Sequence, residues 1–427
     1  MMEKIIRIRG KFMDQLHEQF LTALRAALRD EPAHALEELT PPQLERLLAL
    51  AATHQVLPMI YEAVHSLPSV KANCQNVMAA CKFPVFRQVT TQAMKTSEFL
   101  SLNRHLHASG IQPLVVKGLI CRQLYPKPDL RASSDEDVLI RPEWSDRCHR
   151  ALLDFGMATT ADAGELACAY EIPYVKPGSP LYIELHKHLF PPESGAYGDF
   201  NRFFDGIFDR SIEEQINGVP VRTLDHTDHF FYLICHAFKH FLHSGFGIRQ
   251  VCDIILYANT YGSRIDWEIV LLNCRQIRAE RFVAALLVIG EKYLVFDPDT
   301  ACLSRSWRSI QVDENMMLED LLLSGVYGNA TNSRIHSSTV TLEAVSAQKQ
   351  GKQAKVNLLS SLFPPAGSIA SRFPYLKKAP WLLPVAWVHR IVRYGLETRR
   401  SDSSNATEAL KIGTQRVELM RQYGIIE

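Results

Sequence analysis

Asp135 and Asp137 stand one residue apart and lead directly into the apolar run Val138-Leu139-Ile140. On a strand, residues i and i+2 project from the same face. The two carboxylates would then lie side by side and repel each other unless a cation sits between them. Mg²⁺ suits that place because it takes carboxylate oxygens and also grips substrate phosphates, and Mn²⁺ is the alternative. A charged loop ahead of a strand is the plainer reading of an isolated Asp-x-Asp.

Residues upstream add to the pattern. Positions 111–116 read as a strand that ends at Lys117-Gly118, with a short helix over 119–124 and a turn over 125–129. A turn into a helix presents backbone N–H groups and a positive dipole end to an anion. Gly118 would let a phosphate approach the main chain. Lys117 and Arg131 would add charge against a triphosphate, with Ser134 in the same nucleotide-facing segment. A surface Lys-Gly turn is the plainer reading of that pair alone.

Downstream, 181–186 alternates like a half-buried strand, with Tyr182, Glu184 and His186 on one face. Glu184 would complete a metal site with the two aspartates, or act as base for an incoming hydroxyl. An edge strand with an exposed polar face is the competing reading. His236 and His240 are one helical turn apart, and His243 follows, a spacing open to zinc or to packing. The segment His-Ala-Phe-Lys-His lacks the glutamate of a metalloprotease helix. Arg249 and Asp253 are also i and i+4, which suits an internal salt bridge.

The elements that must hold these groups follow from periodicity and punctuation. Met13, Leu16, Phe20, Leu24 and Leu28 recur at helical spacing. Thr40-Pro41-Pro42-Gln43 has the form of a capping box opening a helix with an apolar stripe at Leu44, Leu47, Leu48 and Ala51. Gly110 and Gly156 read as helix stops, and Pro142 as a start. The stretch 101–190 is expected to give a small α/β core, with an extra hairpin within 161–180. Residues 191–222 are expected to be irregular, and helices resume near Thr227. The expected division is a helical region over 1–100, the core over 101–222, and a helical domain over 223–327. A linker over 328–370 and a helical tail over 371–427 complete it. In the tail an amphipathic helix starting near Pro384 would bury Val385, Val388, Ile391 and Val392 against the protein. A weak peripheral membrane contact through 381–400 is the alternative.

Composition sets further bounds. The 427 residues carry 47 basic and 46 acidic side chains, a formal net charge of +1, which argues against a broad nucleic-acid surface. The nine cysteines form no Cys-x-x-Cys pair, and the start lacks the apolar core of a signal peptide, which fits a cytoplasmic protein. No run is long enough to span a membrane.

Taken together, the Lys-Gly turn, the Asp-x-Asp strand and the later Glu-Leu-His resemble the polymerase-β-like nucleotidyltransferase superfamily. The closer resemblance is to a bacterial branch known as the uncharacterised nucleotidyltransferase family, from about Leu44 to the C-terminus. That branch has Lys-Gly where better-known members have Gly-Ser, and matches Lys117-Gly118. It carries an Arg before the aspartates, matching Arg131, and a Glu-Leu-His matching Glu184-Leu185-His186. Its His-rich helix with a following Arg and Asp matches His236, His240, Arg249 and Asp253. Glu136 departs from the pattern, since an apolar residue usually stands there, and a charge is expected to weaken packing behind the strand.

The resemblance implies a mixed-sheet α+β core flanked by helices. It implies metal-dependent transfer of a nucleoside monophosphate from a triphosphate to an unknown acceptor, either a glycan, a peptide or a small molecule. Asp135, Asp137 and Glu184 would be the metal and catalytic residues; Lys117, Gly118, Arg131 and Ser134 would bind nucleotide. His186, His236, His240, Arg249 and Asp253 would be accessory. A catalytically degenerate nucleotide-binding module with a protein partner is the alternative, and a zinc hydrolase using His236 and His240 ranks behind both.

Overall fold

The computed structural model describes residues 13–243, 245–324, 332–351, 373, 375–389 and 406–427. Four short strands form its central sheet: β1 Leu114–Val116, β2 Glu136–Leu139, β3 Glu171–Val175 and β4 Tyr182–His186. The order is β1-β2-β4-β3. β2 runs parallel to β4, while the β1–β2 and β3–β4 pairs are antiparallel. The result is a small mixed sheet inside an α+β protein. Val138, Ile183 and Leu185 are fully buried, as inner strands require. β4 is therefore an inner strand, not the exposed edge that its alternation also allowed.

Helices position the sheet, and their ends follow the sequence closely. Pro41–Thr53 opens with the Thr40–Gln43 capping box and buries Leu44, Leu47, Leu48 and Ala51. The long helix Gln75–Ala108 stops where Gly110, at φ 71°, donates its N–H to His107 and Ile111 donates to Leu106. That pair of bonds closes a Schellman motif. Gly156 ends the helix Ser145–Asp154 in the same way.

One region departs from expectation. Instead of being irregular throughout, 191–222 contains a hairpin of β5 Ile212–Ile216 and β6 Val219–Thr223. Asn217 and Gly218, at φ 50° and 73°, make its two-residue turn. Asn-Gly is a strong hairpin signal because both turn residues need positive φ. The hairpin reaches the central sheet where the Thr223 hydroxyl donates to Val115 O at 2.7 Å.

The helices His226–His243 and Ile248–Tyr261 cover the carboxylate-bearing end of the sheet. Behind them pack Trp267–Gln276 and Glu280–Tyr293. Within the stretch 328–370, the structure carries the helix Asn332–Lys349, which packs on His226–His243 and on Ala406–Gln422.

The tail differs from its expected packing. Val385 is 55% and Val388 61% exposed, whereas Ala386 is buried beside Phe373 and Leu376. Ile391 and Val392 lie outside the described residues. Among the described residues, no helix is long and apolar enough to cross a membrane.

Candidate active site

The loop ahead of β2 is held from below by the long helix Gln75–Ala108. Gln92 Oε1 accepts the Ser133 N–H at 2.8 Å, and the Lys95 ammonium donates to the carbonyls of Ser133 and Ser134 at 2.8 and 2.7 Å. Strand alternation then sends Asp135 and Asp137 to one side of the sheet and Glu136 to the other. Glu136 does not weaken the packing there. It is 0% exposed and paired with the buried Arg122, which also donates to Thr96 Oγ1 at 2.6 Å. The buried charge is tolerated because it has a counter-ion. Gly118 has its reason here as well: a Cβ would collide with Glu136 Oε2, so the missing side chain makes room for a carboxylate of the protein itself.

On the other side lies a cleft of about 390 Å³ between the sheet and the helices His226–His243 and Ile248–Tyr261. Parallel pairing sets Asp137 directly beside Glu184. His186 Nε2 is 3.2 Å from Asp137 Oδ1 and 3.8 Å from Glu184 Oε2. One ligand atom from each of Asp137, Glu184 and His186 falls within 4.8 Å of the others. Asp135 lines the same cleft, half-buried, and accepts from the Ser134 hydroxyl at 3.2 Å. It stands outside the compact donor group, in which His186 takes the place expected of Asp135.

Lys117 reaches this group from the end of β1. Its backbone sits at φ 58° and ψ −101°, an uncommon conformation for a residue with a side chain. The neighbours hold it there. The Lys117 N–H donates to His229 Nε2 at 3.2 Å, and His229 Nδ1 meets the Thr223 hydroxyl at 3.2 Å. Burial keeps His229 neutral, with a pKa down at about 3, so Nε2 is free to accept. The Lys117 ammonium lies 2.8 Å from Asp137 Oδ2 and 3.2 Å from His236 Nε2.

Charges in the cleft are strongly coupled. Burial alone would raise the Asp137 pKa, but Lys117 and His186 outweigh it and hold this carboxyl well below the usual range. Glu184 is pushed up to about 7, first by burial and then by the negative charges of Asp137, Asp135 and Glu171. His236 is held far below its ordinary value by burial and by Lys117. His240 Nε2 lies 3.2 Å from His236 Nε2. The Lys117 ammonium meets the His236 ring, and neither histidine belongs to the compact donor group.

One expected phosphate contact, Arg131, has a partner within the protein. Arg131 is buried and makes a two-pronged ion pair with Asp253, Nε to Oδ1 at 2.8 Å and Nη2 to Oδ2 at 2.6 Å. Tyr125 adds a bond to Asp253 Oδ1 at 2.8 Å. Arg131 therefore ties the sheet to the helix Ile248–Tyr261. Asp253 is taken by Arg131 and not by Arg249, which instead bonds Gln55 at 2.9 Å and the carbonyl of Ala132. Arg249 and Gln250 line the cleft. Sequence reasoning did not single out Glu171, Tyr170, Tyr197 or Lys239, which also line it. Lys239 had a signal, since it lies three residues beyond His236 on the same helix.

A family model described as "Uncharacterised nucleotidyltransferase" matches residues 40–294. A solved structure of an antigenic nucleotidyltransferase-like protein from Paracoccidioides brasiliensis shares 15% identity at a TM-score of 0.30, over 49% of this chain and 96% of that one. No curated protein matches the chain. The family match covers more than half of the sequence and includes the sheet, the acidic cleft and the helices over it. The chain belongs to the uncharacterised nucleotidyltransferase family and is a nucleotidyltransferase.

Proposed function

We propose that the cleft moves a nucleoside monophosphate from a triphosphate to an acceptor hydroxyl or phosphate, with Mg²⁺ or Mn²⁺ and with release of pyrophosphate. The observation that carries this reading is the side-by-side placement of Asp137 and Glu184 on parallel strands, with His186 and Asp135 in the same cleft.

The donor set fits a hard dication. Asp135, Asp137 and Glu184 line one cleft, where burial and then the charges of Asp137 and Asp135 raise the Glu184 pKa. Asp137 and His186 would hold the ion, with Asp135 beside them and Glu184 either as a further ligand or as the base. Once bound, such an ion neutralises phosphate charge and favours in-line displacement.

The remaining work falls to side chains. Lys117 carries the positive charge that balances the donor's phosphates. Where Glu184 is the base, it takes the proton of an acceptor hydroxyl. The acceptor oxygen forms its bond to the α-phosphorus as the bond to the bridging oxygen of pyrophosphate breaks, and the electron pair leaves with pyrophosphate. The helix His226–His243 walls the cleft from the side opposite the sheet.

A degenerate nucleotide-binding module is the second reading, favoured by the Lys117 ammonium on Asp137, where a metal would otherwise bind. Incubation with nucleoside triphosphates labelled at the α-phosphate, with Mn²⁺ and a panel of acceptors, separates the two. Transfer of label, or slow release of labelled monophosphate, supports the enzyme. Tight nucleotide binding with neither product supports the module.

A further inference from the structure

Lys239 is a further cation on the cleft, and the mechanism above does not use it. It projects from the helix His226–His243, between His236 and His243, which also line the cleft. Among the described residues, its ammonium has no hydrogen-bond acceptor within 3.5 Å and no carboxylate oxygen within 4.0 Å. A half-buried ammonium on the cleft without a counter-ion is free to meet an anion there. Burial lowers its pKa, Glu171 of β3 opposes this, and both residues line the cleft.

The cleft thus has two unlike flanks around Asp137, Glu184 and His186. Arg249 marks one, fastened to Gln55 and to Ala132 beside the Ser134–Asp135 loop. Lys239 marks the other, with Glu171 and the rings of Tyr170 and Tyr197. The Tyr197 hydroxyl lies 2.6 Å from His243 Nε2, which fixes that ring next to Lys239 on the helix. Flat rings with polar edges suit a small hydroxylated molecule. Glu184, the proposed base, lies between this flank and Asp137.

We propose that Lys239 binds an anionic group on the acceptor, so that the acceptor is a small hydroxyl compound carrying a phosphate or a carboxylate. It lies against Tyr170 and Tyr197 with its hydroxyl at Glu184. The donor's phosphates occupy the Lys117 and Asp135 side. This assignment rests on the nucleotidyl-transfer reading and narrows its acceptor class.

The test uses the full chain saturated with Mn²⁺ and a non-hydrolysable α,β-methylene nucleoside triphosphate. Glycerol 3-phosphate, glycerate and glycerol are then titrated in calorimetrically. The loaded protein is expected to bind one or both anionic probes and not glycerol, and the tighter of the two assigns the anion. Lys239→Gln should weaken that binding by roughly tenfold or more, as loss of a charge-assisted hydrogen bond implies. Lys239→Arg should retain most of it, and both variants should bind the analogue as the wild type does. Failure of the loaded wild type to bind either anion overturns the proposal, as does unchanged binding in Lys239→Gln. A parallel loss of analogue affinity in Lys239→Gln also overturns it, by placing Lys239 on the donor. Absence of analogue binding by the wild type defeats the underlying nucleotidyl-transfer reading and the proposal with it.

Discussion

The Lys117 ammonium lies 2.8 Å from Asp137 Oδ2, on the carboxylate best placed to hold a metal ion. Lysine and dication compete for the same carboxylate, and the donor's phosphates offer Lys117 another partner. Lys117→Met is therefore expected to raise Mn²⁺ affinity in the absence of nucleotide. The same variant should weaken triphosphate binding by more than the ~1 kcal/mol of an exposed ion pair. Calorimetric titration of each ligand checks both signs, and a fall in metal affinity would contradict the competition.

Glu136 and Arg122 form a fully buried ion pair behind the sheet. Removing one partner leaves the other charged and buried, at a cost of about 3–5 kcal/mol. Arg122→Met alone should lower the denaturation midpoint sharply. The double variant Arg122→Met, Glu136→Leu should recover much of the loss. Denaturant unfolding of the two single variants and the double variant measures the coupling directly.

Arg131 holds Asp253 and not, in this arrangement, a phosphate. Asp253→Asn should destabilise the fold by about 3 kcal/mol or more because Arg131 loses its counter-ion. Triphosphate affinity, measured well below the melting temperature, should change little. A large affinity loss with unchanged stability would return Arg131 and Asp253 to the nucleotide site.

Acid should weaken the fold through its buried histidines. His54 is fully buried, and burial lowers its pKa from 6.5 to about 4. The unfolded chain binds this proton at higher pH than the folded one does. Stability is therefore unaffected above pH 6.5 and falls as pH drops towards 4, by at most about 1.4 kcal/mol per pH unit for this group. His54→Gln should keep a bond to Leu322 O and make the acid slope of stability shallower by up to one proton between those limits. Unfolding curves collected across that range decide it.

Local signals carried much of the fold. The Thr40–Gln43 box, Gly110 and Gly156 mark helix ends through bonds made within a few residues. The pairing of Asp137 with Glu184 is different in kind, since alternation supplies the faces but only the sheet supplies the register. The Asn217-Gly218 turn is legible in the sequence, but its flanking strands are short and the first, Ile212–Ile216, is mostly polar. The Arg131–Asp253 pair is hidden in the sequence because an arginine suits a carboxylate as well as a phosphate, and Asp253 lies far along the chain. The role of Glu136 was hidden likewise, because Arg122 becomes its neighbour only once the short helix Gly118–Arg122 folds back on β2.

Glu184 gives the central test, since its proposed part lies in the reaction and not only in binding. Glu184→Gln removes a carboxylate held near pKa 7 with little change of shape. The measurement is Mn²⁺-dependent release of labelled monophosphate and pyrophosphate from an α-labelled triphosphate, alongside calorimetric nucleotide affinity. Turnover is predicted to fall by about a hundredfold or more, the scale of lost general-base catalysis, while nucleotide affinity falls far less. Turnover equal to that of the wild type would remove Glu184 from the chemistry and contradict the account.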